Sequence, residues 1–185
     1  MKPSILNEIL ETYERYIQLQ EEHYFENVLF SYQWWILVFI PIVLWVTWAL
    51  LVDKTRMNSI LLAGLLATLL AVVLDDIGLS LGLWQYPYRI VPFTSRLNPI
   101  DIGIIPVFYM LVYQYFQSWK VYTIIITLLS LFAVFMAEPL FGRLGMYLAL
   151  QWEYWYSGPI YILIGIFVKW LVDKVKKNPS IHGER

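Results

Sequence analysis

The stretch that decides the fold is residues 32–52, "YQWWILVFIPIVLWVTWALLV". It contains 21 residues and no charged side chain. A helix of about 20 mostly apolar residues is long enough to cross the roughly 30 Å hydrocarbon core of a bilayer. This stretch therefore predicts a transmembrane helix.

The composition of the whole chain agrees with a membrane location. Hydrophobic residues make up 59% of the 185 residues and charged residues 15%, whereas soluble domains average roughly 45–50% and about 25%. The chain also has 9 Trp and 14 Tyr, the side chains enriched where a protein meets both lipid and water. We expect an integral membrane protein whose first partner is the lipid bilayer.

Composition also excludes several function classes. A net charge of −1 without a basic stripe argues against a nucleic-acid partner. The absence of cysteine excludes disulfides, thiolate metal sites and cysteine nucleophiles. The only histidines, His23 and His182, fall in polar terminal segments. We therefore predict no metal site, no cofactor and no serine–histidine hydrolase.

Hydrophobic periodicity predicts an all-α fold: a polytopic bundle of about five transmembrane helices, preceded by an amphipathic helix. The predicted spans are residues 32–52, 57–74 or beyond, 99–116, 121–137, and a fifth ending near residue 172. The predicted regions are 1–31 (acidic amphipathic helix), 32–173 (transmembrane domain) and 174–185 (basic tail).

Small residues predict close packing of the second span. Ala63, Ala67 and Ala71 recur at four-residue spacing and so share one face of a helix. Such stripes allow helix backbones to approach each other in a membrane.

The distribution of positive charge predicts the orientation. With five spans, eight of the 13 Lys and Arg residues fall on the side of the C-terminus. Cytoplasmic loops carry the excess of Lys and Arg. We therefore expect a cell-membrane protein with its N-terminus outside and its C-terminus in the cytoplasm.

Residues 4–30 show helical spacing of apolar side chains, with glutamates mostly on the other side. An acidic helix is repelled by anionic lipid, so we expect this helix to dock on a protein partner rather than on the membrane surface.

Ionisable residues cluster on the predicted outer side, at the ends of several spans. Because ionisable groups at membrane depth usually face a bundle interior or a cavity, we predict an outward-facing ligand site. The candidate binding residues are Asp75, Asp76, Trp84, Arg96, Asp101, Tyr109, Glu138, Arg143 and Glu153. Successive helix residues point about 100° apart, so we expect Asp75 to face inward and Asp76 to reach the interface.

Several of these residues also have a purely structural interpretation. Asp101 follows Asn98 and Pro99 in a typical helix-start pattern. Glu138 precedes Pro139, where we expect the helix to end or kink, and a Glu138–Arg143 ion pair is an alternative to ligand binding. Glu153 lies among interfacial aromatic residues, and Tyr109 has the spacing of a packing residue.

Three stretches carry a resemblance to a known family: "DDIGLSLGLWQYPY" (75–88), "LNPIDIGIIPVFYMLVYQYF" (97–116) and "AEPLFGRLGMYLALQWEYWYSGPIYI" (137–162). Over roughly residues 30–175 the chain resembles a family of small, uncharacterised multi-pass membrane proteins from endospore-forming bacteria. The resemblance implies a bacterial plasma membrane and no particular chemistry. A weaker resemblance, at Gly82–Trp84, is to lycopene cyclase-type membrane domains, but their paired Pro-Glu-Glu motif is absent here.

Three functions remain open from the sequence. The first is binding of a lipid or other amphipathic ligand by the acidic and arginine residues, with or without acting on it. The second is a structural or accessory subunit of a membrane assembly. The third is a proton or cation transport component, which intramembrane acids often mark.

Overall fold

The computed structural model describes residues 4–97 and 99–177, which form the expected all-α fold. The helices are α1 (Ile5–His23), α2 (Tyr32–Leu51), α3 (Met57–Ser80), α4 (Ile105–Tyr115), α5 (Trp119–Phe132), α6 (Glu138–Arg143) and α7 (Ser157–Lys176). π-Helical segments are Tyr24–Val28, Pro99–Ile104 and Ala133–Ala137, and 3₁₀ turns are Lys54–Arg56 and Tyr154–Tyr156. Two short strands, β1 (Trp84–Gln85) and β2 (Leu148–Ala149), pair antiparallel.

Four helical stretches in residues 4–97 and 99–177 are long and apolar enough to cross a membrane: Tyr32–Leu51, Lys54–Ser80, Trp119–Arg143 and Tyr154–Lys176. Each overlaps a predicted span. The predicted third span corresponds to Pro99–Tyr115, an apolar but shorter helix. At 1.5 Å per residue its length is about 26 Å, less than the roughly 30 Å of a hydrocarbon core.

Helix α3 lies at the centre of the bundle and contacts both α4 and α7, while α5 packs on α7. The predicted small-residue packing is confirmed, because Ala63, Ala67 and Ala71 are all buried. Helices α3 and α4 approach closely at Gly64, where an added Cβ would lie 2.7 Å from the sulfur of Met110 on α4.

Of the two outcomes expected at Glu138, an end or a kink of the helix, the end is wrong. The helix continues from α5 through the π-helical segment Ala133–Ala137 into α6, which ends at Arg143. Pro139 has no N–H to donate to the preceding turn. The wider turns of a π-helical segment absorb such a break in the hydrogen-bond ladder, so the helix continues.

The first and last helices differ slightly from the predicted bounds. Helix α1 begins at Ile5 and is capped by Ser4, whose hydroxyl accepts a hydrogen bond from Asn7 N (3.3 Å); it ends at His23 and buries no side chain. Helix α7 continues to Lys176, so residues 174–176, predicted to begin the tail, are helical. Residues 178–185 lie outside the described part of the chain, as does Asn98, the predicted cap.

The turn after α3 positions the first strand. Gly82 has φ +67, a backbone conformation that strains residues with a Cβ. Leu83 N donates to Gly78 O (2.9 Å), which folds the chain back over the last turn of α3. Strand β1 then pairs with β2, with Trp84 opposite Ala149. This pairing joins two loops at one end of the bundle, the end where α3 finishes and α7 begins.

Candidate functional site

The centre of the site is Asp75, in the last part of α3. Its carboxylate is buried, with 6% of the residue exposed. One oxygen, Oδ1, accepts two hydrogen bonds from the loop that carries β1: Trp84 Nε1 at 2.9 Å and Tyr86 OH at 2.6 Å. The turn at Gly82 therefore places two aromatic donors directly over this acid.

Asp101 meets Asp75 from a different helix. It lies on the π-helical segment before α4, is 5% exposed, and its carboxyl group lies within hydrogen-bonding range of the Asp75 carboxyl group. Asp75 Oδ2 and Asp101 Oδ2 are buried and accept no hydrogen bond from residues 4–97 or 99–177. Carboxylates have only acceptors, so the pair requires a shared proton or a donor from another molecule.

Asp76 and Arg96 form the rim of this site. Their ion pair is 2.9 Å long, and their side chains are 55% and 34% exposed. The expectation that Asp75 faces inward and Asp76 outward is confirmed. An exposed pair of this kind contributes about 0–1 kcal/mol, so it closes the edge of the site more than it stabilises the fold.

Glu138, the first residue of α6, forms the second acidic centre. Its Oε1 accepts from Tyr161 OH at 2.7 Å and its Oε2 from Ser157 Oγ at 3.3 Å, both on α7. Ser157 Oγ in turn accepts from Trp152 Nε1 at 3.0 Å. Glu138 therefore joins α6 to the start of α7.

Aromatic rings connect the two acidic centres. The rings of Trp84 and Trp152 meet edge to face, 5.1 Å between centroids, and the Tyr86 and Tyr147 rings lie 5.7 Å apart. Burial, followed by the charges of Glu138 and Asp75, raises the pKa of Tyr147. Burial followed by the Asp75 charge also raises the pKa of Tyr86, so both tyrosines stay protonated, and Tyr86 donates its proton to the hydrogen bond with Asp75. We call Asp75, Asp101, Glu138, Trp84, Tyr86, Tyr147, Trp152, Ser157 and Tyr161 the acidic cluster.

Three candidate residues are not brought to the acidic cluster. Arg143 is exposed, and the alternative ion pair with Glu138 does not form within the described chain. Five residues of α-helix correspond to about 140° of rotation, so Arg143 points away from Glu138. Glu153 is exposed before the turn that leads into α7. Tyr109 is a core residue whose hydroxyl donates to Tyr161 O at 2.8 Å.

A cavity of about 440 Å³ lies beside the acidic cluster, between the end of α1 and the loop after β1. Its lining residues are Tyr16, Leu19, Gln20, His23, Gln85, Tyr86, Pro87 and Arg89. Tyr86 belongs both to the lining of this cavity and to the acidic cluster, where its hydroxyl donates to Asp75 Oδ1. Arg89 is buried, and its guanidinium donates to Thr94 O (2.7 Å) and Gln20 Oε1 (3.2 Å). Burial lowers the pKa of Arg89.

Sequence reasoning missed the donors of the acidic cluster. Tyr86, Trp152, Ser157 and Tyr161 are not among the candidate residues predicted from the sequence. The sequence carries only a weak signal for these four residues: each side chain ends in a polar group, and each residue lies near the end of a predicted span. No local spacing indicates that Tyr161 bonds Glu138 rather than water.

Neither a metal-binding group within the described residues nor a comparison with known proteins assigns a function to the site. Within the described residues, no three His, Asp or Glu side chains are grouped closely enough to hold a metal ion. Comparison of the chain with protein families, curated proteins and solved structures finds no match. The resemblance to the endospore-former membrane proteins therefore stays a prediction, and function is inferred from the site itself.

Proposed function

We propose that this chain is a multi-pass protein of a bacterial cell membrane that binds a lipid or other amphipathic molecule at its acidic cluster. The apolar helices lie in the bilayer, Pro99–Tyr115 completes five crossings, and the acidic cluster faces outward. Exposed apolar side chains support this placement, because α2 alone exposes Phe39, Ile42, Val46 and Leu50. Apolar surface on this scale is typical of contact with lipid.

The observation that carries the binding proposal is the pair of buried carboxyl oxygens, Asp75 Oδ2 and Asp101 Oδ2, without a donor in the described chain. A buried acceptor without a donor costs roughly 1–3 kcal/mol. A ligand with an ammonium or hydroxyl headgroup removes this cost, since it supplies donors that the helices do not. The cavity on the other side of Tyr86, with Leu19 and Pro87 in its walls, is the space proposed for the apolar part of the ligand, so binding requires the Tyr86 side chain to move.

Binding through the carboxyl pair requires a headgroup that carries hydrogen-bond donors. Phosphatidylethanolamine carries an ammonium group with N–H donors, whereas the trimethylated ammonium of phosphatidylcholine carries none. We therefore expect the protein to retain phosphatidylethanolamine in preference to phosphatidylcholine of the same acyl chains. Native mass spectrometry of the protein in mild detergent, with each lipid added in turn, measures this preference.

Neighbouring aspartates provide matched variants for the test. Asp75→Asn is expected to lower retention of phosphatidylethanolamine by roughly 10- to 100-fold, because a hydrogen bond to a charged group contributes about 1.5–3 kcal/mol. Asp76→Asn changes the same group one residue away, in the exposed pair with Arg96, and should change retention by about twofold at most.

Thermal unfolding of both variants verifies that they are folded. Equal retention by the two variants, or equal retention of the two lipids by the wild type, would show that the carboxyl pair does not bind a headgroup. A proton shared by Asp75 and Asp101 would then account for the pair.

A second function, an accessory subunit of a membrane assembly, is favoured by the surface of α1. Its apolar residues include Ile5, Ile9 and Tyr13, which are 76%, 57% and 59% exposed. These positions share one helical face, while Glu11 lies about 200° from Ile9. An apolar face on an acidic helix suits a protein groove better than anionic lipid.

Photo-crosslinking tests this second function. A crosslinking residue in place of Ile9 is expected to form one discrete protein adduct in cell membranes, and one in place of Glu11 to form none. Adducts between position 9 and lipid would instead place α1 on the bilayer surface and exclude the accessory role for this helix.

A further inference from the structure

The opposite end of the bundle has a cavity that the acidic cluster does not use. It has a volume of about 310 Å³ and is lined by Arg56, Tyr113, Gln117, Lys169, Asp173, Lys176 and Lys177. We call it the basic cavity. Four cationic side chains and one carboxylate line it, so its charge is strongly positive. Its volume is at the lower end of the range for small-molecule sites, about 300–1,000 Å³.

The one carboxylate of the basic cavity is already occupied on both oxygens. Asp173 Oδ2 pairs with Lys169 Nζ at 3.4 Å, and Asp173 Oδ1 accepts from Tyr113 OH at 3.0 Å. Lys169 is 2% exposed, and its ammonium lies 5.0–5.2 Å from the centroids of three aromatic rings. These contacts hold Lys169 and Asp173 in place, so the two residues form one wall of the basic cavity.

The other three cations have no carboxylate partner within residues 4–97 and 99–177. Arg56 donates through one nitrogen to Gln114 O at 3.0 Å, which orients the guanidinium while its remaining N–H groups stay available. Asp53 lies nearby, but its Oδ1 accepts from Thr55 N and Thr55 Oγ at 3.0 and 2.6 Å. These Thr55 hydrogen bonds lower the pKa of Asp53.

A helix also begins next to a residue that lines the basic cavity: α5 starts two residues after Gln117. In the described chain no side chain caps the start of α5. Helix α3 differs, because it continues from the 3₁₀ turn Lys54–Arg56, whose start is capped by the Asp53 side chain. Uncapped amide groups at a helix start favour anions, phosphate in particular.

We propose that the basic cavity binds a phosphate group, carried either by an anionic phospholipid headgroup or by a free phosphate ester. The Arg56 guanidinium supplies a planar pair of donors for two phosphate oxygens, and Lys176 and Lys177 supply point charges at the rim. Basic pockets at the ends of membrane helices bind phosphorylated headgroups by the same chemistry. This site is independent of ligand binding at the acidic cluster.

The full-length protein in mild detergent allows a direct test by native mass spectrometry. The probes are dioctanoyl phosphatidylglycerol, dioctanoylglycerol as the same lipid without phosphate, and glycerol 3-phosphate. We expect one phosphatidylglycerol to bind and dioctanoylglycerol not to bind. Glycerol 3-phosphate shows whether the phosphate must belong to a lipid. If glycerol 3-phosphate displaces phosphatidylglycerol, the site accepts a free phosphate ester; if it does not, the site requires the lipid.

Two double substitutions, each of which removes two positive charges, distinguish binding in the basic cavity from a general effect of surface charge. Arg56→Gln with Lys176→Gln should weaken phosphatidylglycerol binding roughly 10- to 30-fold, since each basic side chain near an anionic headgroup contributes about 1 kcal/mol, or about fivefold. Lys54→Gln with Lys174→Gln removes the same charge at the same end, outside the cavity lining, and should weaken binding by about threefold at most. Equal weakening by both pairs, binding of dioctanoylglycerol, or no phosphate binding at all would overturn the proposal.

Discussion

Gly78→Ala is expected to destabilise the protein by roughly 3 kcal/mol and to disrupt the acidic cluster. A Cβ at this position would overlap the six-membered ring of Trp84. The ring cannot move away freely, because its Nε1 bonds Asp75 and its edge meets Trp152. Overpacking costs about 1–3 kcal/mol, and losing a hydrogen bond to a charged group costs about 1.5–3 kcal/mol. The better helix propensity of alanine offsets only about 1 kcal/mol.

A double-mutant cycle isolates this steric cause. In a Trp84→Ala background the ring is gone, so Gly78→Ala should be neutral or stabilise the protein by up to about 1 kcal/mol. Free energies of unfolding from detergent-denaturant titrations supply the four values. Equal effects of Gly78→Ala in both backgrounds would show that the Trp84 ring is not the obstacle. Gly64→Ala, which meets the flexible Met110 side chain instead, is expected to leave ligand retention unchanged.

Lys169→Met is the second substitution with a large expected effect, a loss of about 3 kcal/mol in the free energy of unfolding. Methionine has a similar length, so the loss reports the charge more than the packing. Without the ammonium, Asp173 keeps its negative charge beside Tyr113 and loses its ion-pair partner at 3.4 Å. Removing one member of a fully buried pair costs about 3–5 kcal/mol. Lys169 is buried, but the Asp173 side chain is 27% exposed, so the expected loss lies at the lower end of that range.

The control for Lys169→Met uses both partners. Adding Asp173→Asn removes the unpaired charge but keeps an oxygen acceptor for Tyr113, so the double variant should regain about 1–2 kcal/mol relative to Lys169→Met alone. Lys174→Met, at an exposed lysine over the Trp170 ring, should cost about 0.5–1 kcal/mol at most. If Lys169→Met is as stable as the wild type, or if the double variant is the least stable of the set, the buried ion pair does not stabilise this end of the bundle.

Much of the site could be located from the sequence, although its contacts could not. The positions of Asp75, Asp101 and Glu138 near helix ends followed from the lengths of the apolar stretches. The inward direction of Asp75 followed from the helical rotation between successive residues. Arg143 was misjudged because charge and proximity in sequence suggested a pair with Glu138. Both residues lie on α6, and five residues of helix rotate the Arg143 side chain by about 140°, away from Glu138.

The lysines of α7 are a second case in which the sequence locates the residues but not their contacts. In the sequence, Lys169, Lys174, Lys176 and Lys177 are all among the eight positive residues on the side of the C-terminus. In the structure Lys169 is buried among aromatic rings of α4 and α5, while the others lie at the surface. Nothing in the local sequence distinguishes them, because the difference arises from which face of α7 packs on its neighbours.

The sequence by itself determined that the chain is all-α, where its long helices lie and which small residues line α3. These properties depend on side-chain polarity and on the 3.6-residue period of the helix, which act within a few residues of each other. Only the tertiary structure decided which donor serves which acid: Trp84 and Tyr86 for Asp75, Tyr161 for Glu138. Those contacts depend on the turn at Gly82, on the pairing of β1 with β2 far along the chain, and on the packing of α7. Such long-range arrangements follow from how whole helices fit together, which no local pattern encodes.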